Sequence, residues 1–257
     1  MFWKARRGGM EEDLDFLKKQ WEKTEERAVM SGRVLYGGFY SETEMGAFDQ
    51  LQREGRLQSA AAFGGYEGAD RCMLRFGDAD EDAAWPIACV LIAPRSAKYA
   101  EAWSHRDVLG ALMSLGVERD VLGDLRLAGG QCYAFCRAEM AEHVMTLDSV
   151  RKTSVACSLI EDAKDIPRPE KQLERVAAAS ERIDALTAEL ANLSRGKAAE
   201  LIARQRVLVA GQVCLDPSRK LREGEVFSIR GTGKFRYLGL RGASKKGRLY
   251  LEIERWM

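Results

Sequence analysis

The run Asp165-Ile166-Pro167-Arg168-Pro169 cuts this chain in two. Proline lacks an amide donor and its ring clashes with the preceding turn. Two prolines one residue apart can therefore continue neither a helix nor a central strand. The sequence predicts a linker over 165–180 and a separate domain over 181–257. Charge changes across the same break. Residues 181–257 hold 16 Lys+Arg against 9 Asp+Glu, a net of +7, whereas 1–180 hold 24 against 30, a net of −6. The chain total of +1 hides this split. A basic domain on an acidic body points to a polyanionic partner for the tail.

The 257 residues leave room for two or three small units, and a composition of 46% hydrophobic and 31% charged residues is that of a globular protein. No apolar stretch reaches the roughly 18–20 residues that span a bilayer. The longest, over 83–93, contains Pro86. The N-terminal residues Met1-Phe2-Trp3-Lys4-Ala5-Arg6-Arg7 lack the apolar run of a secretory signal. The expectation is a cytoplasmic protein that does not engage a membrane. Six cysteines, at 72, 89, 132, 136, 157 and 214, include no Cys-x-x-Cys pair, and neither His105 nor His143 lies near one in sequence. Reduced, buried cysteines are expected, with no metal and no cofactor.

Ahead of the break, Leu14, Leu17, Trp21 and Val29 fall near helical spacing over 11–30. Gly37-Gly38 and Gly64-Gly65 then divide the chain into short pieces. Residues 1–80 read as a mixed, mainly helical unit. Over 81–164 the order is clearer. A strand at 87–93 precedes Ser104-His105-Arg106-Asp107, which has the form of a capping box. A helix to Gly116 follows, then a strand at 121–127, a Gly129-Gly130 turn and a strand at 131–137. A helix at 138–147 and a strand at 154–160 complete the unit. This β-α-β-β-α-β order is the ferredoxin-like arrangement shared with RNA-recognition domains. Tyr133 and Phe135 share one face of a central strand, where such domains stack bases; burial as core is the competing role.

In 181–257, Ile183, Leu186, Leu190 and Leu193 form one helical stripe, and Ser194 reads as the N-cap of a second helix over 195–204. Short strands follow at 207–209, 213–215, 225–229 and 249–253. The helix junction gathers Arg195, Lys197, Arg204 and Arg206, and the amides at the capped end add partial positive charge. Such a cluster suits phosphate, because each neutralised phosphate releases counterions. Arg182 and Lys220 are expected beside it, with Lys234, Arg236, Lys245, Lys246 and Arg248 extending the surface. Phe235 and Tyr237 alternate with Lys234 and Arg236, so the aromatics face the core.

Arg182-Ile183-Asp184, Ser194-Arg195, Leu201-Ile202, Val207-x-Val209-x-Gly211 and Gly224-Glu225 together resemble the S4 RNA-binding domain, the alpha-L motif, over about 180–230. Gln205 stands where a glycine is common, and Ala210 where an asparagine is common. Upstream, Gly64-Gly65-Tyr66-Glu67-Gly68-Ala69-Asp70-Arg71 is similar to the GGYxxAER stretch of the YlmH family. The run from His105 to Gly116, with Gly123-Asp124, is similar to its HRDxLGALxxLG and GD stretches. Ser244-Lys245-Lys246-Gly247-Arg248 is similar to its TKKGR, and Phe39-Tyr40-Ser41-Glu42-Thr43-Glu44 matches its FLSPRE in part.

The resemblance implies an α+β bacterial protein in three parts. These are a mainly helical N-terminal unit, a ferredoxin-like, RNA-recognition-like middle and a C-terminal S4 domain. It further implies a monomeric, non-catalytic factor that binds rRNA and tRNA on the large ribosomal subunit and assists stalled translation. Two other readings remain. Arg182-Ile183-Asp184-Ala185-Leu186-Thr187 echoes the RLDxxT motif of pseudouridine synthases, in which the aspartate is catalytic. Too little chain follows it for the catalytic domain, and the helical stripe accounts for the same residues. A cell-division scaffold would bind protein rather than RNA, which the basic tail does not favour.

Overall fold

The computed structural model describes residues 10–79, 83–96, 101–161, 163–167, 171–244 and 247–256. They form two compact units, Met1–Pro167 and Arg168–Met257. The prolines mark the boundary, while residues 1–80 and 81–164, read separately in the sequence, pack as one unit.

In unit 1, α1 (Met10–Ser31) and α2 (Glu42–Arg53) cover one side of a three-stranded antiparallel sheet. The sheet holds β1 (Leu35–Tyr40), β2 (Ala60–Phe63) and β3 (Cys72–Phe76) in the order β1-β3-β2. Leu17, Trp21 and Ala28 from α1 and Phe48 and Leu51 from α2 bury against Leu74 and Phe76. Trp21 meets Tyr40 and Phe48 edge-on. The Glu44 carboxylate accepts from the Ser41 amide at 2.6 Å and fixes the start of α2. This sheet was not legible in the sequence. Strand β2 is Ala60-Ala61-Ala62-Phe63, a composition that favours helix, and only its pairing with β3 makes it a strand.

The rest of unit 1 runs β4 (Ile87–Pro94), α3 (His105–Ser114), β5 (Leu122–Ala128), β6 (Gln131–Arg137), α4 (Ala141–Val144), β7 (Ser149–Val150) and β8 (Thr153–Ile160). All pairs are antiparallel, in the order β5-β6-β4-β8-β7. Ser104 caps α3, and Asp107 Oδ2 accepts from the Ser104 amide at 2.8 Å and hydroxyl at 2.6 Å. Helix α4 is a single turn after a 3-10 turn at Ala138–Met140, shorter than the 138–147 expected. Thr146 Oγ1 donates to the His143 carbonyl and competes with further helical bonding. One sheet face buries Val90, Ile92, Cys132, Ala134 and Cys136 against Val108, Leu112 and Val144.

Part of the other face, around Cys89 and Phe135, is covered from within the unit, while Ala156 and Ser158 on the same face are exposed. Gly65, at φ +95°, lies so close to the Phe135 ring that a Cβ there would stand 2.5 Å from it. The Tyr66 ring sits on Phe135 at 4.9 Å between centroids. Asp124 ties this loop down, accepting from the Tyr66 hydroxyl at 2.8 Å and from the Asp70 and Arg71 amides at 2.7 and 3.1 Å. Arg71 then donates to the carbonyls of Phe39, Leu122 and Arg119. Trp85 packs against Tyr36 and Phe63. The three-stranded sheet thus carries helices on one face and the β4–β8 sheet on the other.

Unit 2 runs β9 (Lys171–Ala178), α5 (Ile183–Leu190), α6 (Arg195–Ala203), β10 (Val207–Val209), β11 (Gln212–Val213), β12 (Val226–Ile229), β13 (Gly233–Ala243) and β14 (Leu249–Trp256). The sheet order is β11-β10-β12-β13-β14-β9. Strand β9 lies inside the stretch read as linker. It pairs with β14 from Lys171↔Trp256 to Ala178↔Leu249. An edge strand has a single partner and begins here with polar Lys171-Gln172, which leaves little pattern in the sequence. The core joins Ile183, Leu186 and Ile202 from the helices to Phe227, Ile229, Phe235, Tyr237, Leu251 and Ile253 from the sheet. Phe235 and Tyr237 face inward, as their alternation with basic residues predicted. Among the described residues no helix is long and apolar enough to cross a membrane.

Candidate nucleic-acid interface

The α5–α6 junction brings Arg195 and Lys197 to Arg182, but leaves Arg204 and Arg206, expected in the same cluster, at the opposite end of α6. Ser194 caps α6 by accepting from the Lys197 amide. This sets Arg195 and Lys197 in the first turn, beside the start of α5. There Asp184 is buried, with 4% of its surface exposed. Its carboxylate receives two arginines, each through two hydrogen bonds. Arg182 donates from Nε at 3.2 Å and Nη2 at 3.0 Å. Arg195 donates from Nε at 3.0 Å and Nη2 at 3.2 Å. Burial alone raises the Asp184 carboxyl, but the bonds and charges of Arg195 and Arg182 outweigh it and hold it below the ordinary carboxylate value. The same bonds raise the Arg195 guanidinium. Both arginines remain partly exposed, at 34% and 49% of their side chains. Lys220 joins them through a backbone bridge to Arg182, with its side chain exposed.

The other candidates lie elsewhere on unit 2. Arg204 and Arg206 sit past the far end of α6, about 13 Å along an ideal helix from Arg195. Arg206 is exposed, and its carbonyl accepts from the amide of the equally exposed Arg230. Arg204 pairs loosely with Glu200 at 3.7 Å. Lys234 and Arg236 stand on the sheet face opposite the helices, since Phe235 and Tyr237 point inward. Arg236 pairs with Glu254 at 3.5 Å and lies over the Trp256 ring. Arg248 turns back to the Ala177 carbonyl and Glu189 and ties the turn of the β13–β14 hairpin to β9 and α5. Lys245 and Lys246 fall outside the described residues. Sequence reasoning missed Asp184 as the group that organises the arginines. The signal available was an aspartate two residues after Arg182 in a stretch otherwise read for its positive charge.

Unit 1 offers less to a polyanion. Of the aromatics read as stacking candidates, Phe135 is buried beneath Gly65 and Tyr66, and Tyr133 is half-buried. The Ser104–Asp107 box accounts for His105-Arg106-Asp107 as a helix start. Burial, then the Arg119 charge, pushes the His105 imidazole below its ordinary value. Burial pushes the thiols of Cys89, Cys132 and Cys136 up to about 12. Among the described residues no group of His, Cys, Asp and Glu converges to hold a metal ion.

Two family models match the chain. The one described as "Putative RNA-binding domain in YlmH" covers residues 87–164, and the S4 domain covers 181–227. The chain carries a YlmH-type domain and an S4 domain. A relative, the ribosome-associated protein quality control protein P2 of Bacillus subtilis (strain 168), is 31% identical over 164 residues. That match spans 62% of this chain and 63% of the relative, less than two thirds of its length. Among solved structures, the cell division protein YlmH from Streptococcus pneumoniae aligns with a TM-score of 0.50 at 13% identity, over 65% of this chain and all of that one. At that identity the likeness concerns the fold. The YlmH-type domain begins with β4 and ends just after β8, and the S4 domain runs from just before α5 into the start of β12.

Proposed function

We propose that the chain is a non-catalytic, monomeric RNA-binding factor of the cytoplasm. In this reading it contacts rRNA and tRNA on the large ribosomal subunit and serves the rescue of stalled translation. The observation that carries it is the pair of guanidiniums of Arg182 and Arg195 at the capped start of α6, with Lys197 and Lys220 beside them. Arginine's planar fork suits phosphate, and a helix start adds amide donors. The YlmH-type and S4 matches support the reading, as does the ribosome-associated name of the Bacillus subtilis relative. We further read residues 81–164 as an RNA-recognition-like, ferredoxin-like domain, from its strand order β5-β6-β4-β8. Residues 1–80 then act as a cap on its base-stacking face. In this reading Asp184, held by two arginines, orders the site and does not act as a uridine-modifying nucleophile.

The test is sucrose-gradient sedimentation of tagged protein from cells at low and high salt, with sequencing of crosslinked RNA. Co-migration with the large subunit and crosslinks on rRNA and tRNA are expected. Protein that stays at the top at low salt, without crosslinked rRNA even when ribosomes are stalled, would remove the ribosomal assignment.

A further inference from the structure

A site that only collected positive charge would have no use for Asp184. The carboxylate lies about 3 Å from both guanidiniums and lowers the local charge from +2 to +1. Attraction for phosphate scales with the counterions released, so on charge alone Asp184 weakens the site. Its benefit is geometric. A free arginine carries side-chain entropy, part of which is lost on binding. Here each guanidinium is already fixed in plane by two bonds to one carboxylate. Both Asp184 oxygens are used, and the carboxylate is buried beneath its partners. The remaining N–H groups of the two guanidiniums are left for an outside acceptor.

We propose that Arg182, Asp184 and Arg195 form a rigid two-guanidinium fork for the phosphodiester backbone of folded RNA, with Asp184 as its positioning residue. The inference rests on the RNA-binding reading above and adds to it the source of selectivity. A fixed pair of forks fits phosphates that are themselves held in place. A flexible single strand can follow mobile arginines equally well and gains little from the fork. Asp184 therefore exchanges raw attraction for preference between RNAs.

The test is fluorescence anisotropy of the full chain with two labelled probes, an RNA stem-loop and a poly(U) strand of the same length, over a range of salt. Asp184→Asn adds one unit of positive charge and breaks the fork. It should weaken stem-loop binding by about tenfold or more, the scale of a lost charge-assisted contact. Poly(U) binding should stay equal or tighten. Arg195→Ala with Lys197→Ala should weaken both probes and flatten the salt slope by about 1–2. Stem-loop binding by Asp184→Asn that matches or exceeds the wild type would overturn the fork and leave charge as the whole explanation. Equal losses on both probes, with the melting temperature unchanged, would also overturn it. If Asp184→Asn does not fold, Arg182→Lys decides, because it keeps the charge at a partly exposed position and removes the bidentate geometry. The same selective loss is expected, and unchanged stem-loop affinity would overturn the fork. A wild-type chain that binds neither probe would instead sink the RNA-binding reading itself.

Discussion

Asp184 and Phe135 are both buried, and each fixes what its neighbours can do. The Asp184 carboxyl titrates below its ordinary value because Arg195 and Arg182 outweigh the effect of burial. A depressed folded-state pKa means stability that is present above the unfolded value, about 3.9, and lost as pH falls through the folded one. Urea unfolding of wild type and Asp184→Asn should therefore differ most near neutral pH, and the gap should narrow below about pH 3.9. A gap independent of pH would show that the ion pairs do not stabilise the fold. Phe135 is wedged against Gly65 and Tyr66. Truncation to alanine should cost about 3–5 kcal/mol, as for other buried aromatics. RNA affinity measured on the folded protein should not move. A loss of affinity at unchanged stability would put a base on this ring.

At the scale of elements, the S4 helices were legible because their signals are local. Ser194 as a cap and the stripe Ile183–Leu186–Leu190 need only neighbours within two turns. The Arg182–Asp184–Arg195 fork was not, since it joins residues on different helices and depends on burial. The β1-β3-β2 sheet and β9 were hidden for a related reason, because pairing rather than composition makes them strands. Two substitutions noted in the sequence proved to lie where the backbone is strained. Gln205 and Ala210 have φ +57° and +50°. Ala210-Gly211 forms the two-residue turn between β10 and β11, with both residues left-handed, the setting that favours Asn-Gly. Ala210→Asn and Gln205→Gly should each raise stability by roughly 0.5–1 kcal/mol, given the 1–2 kcal/mol penalty of that region. Thermal melts of the two variants and their combination would check this. No gain at either position would mean that the surrounding turns already relieve the strain.

At the scale of the whole molecule, the boundary at Pro167 separates opposite charges. Residues 1–167 hold 21 Lys+Arg and 28 Asp+Glu, a net of −7, and 168–257 hold 19 and 11, a net of +8. A fragment of 168–257 keeps β9 and the full sheet, and carries its charge without the acidic partner. It should bind poly(U) more tightly than the full chain at about 0.01 M salt, where screening extends over roughly 30 Å. The difference should vanish near 0.15 M, where it extends over about 8 Å. A difference that persists at the higher salt would require unit 1 to touch the RNA.

The covered part of the β4–β8 sheet also sets an order on the birth of the protein. The N-terminal strands leave the ribosome first, and the surface they are made to meet is complete only when Ile160 has followed, 84 residues after Phe76. At the roughly 5–20 residues per second of synthesis, the finished three-stranded sheet waits some 4–17 s for that surface. During each round of synthesis this chain therefore presents an apolar sheet to whatever guards nascent polypeptides, and slow codons between residues 76 and 160 would lengthen that exposure.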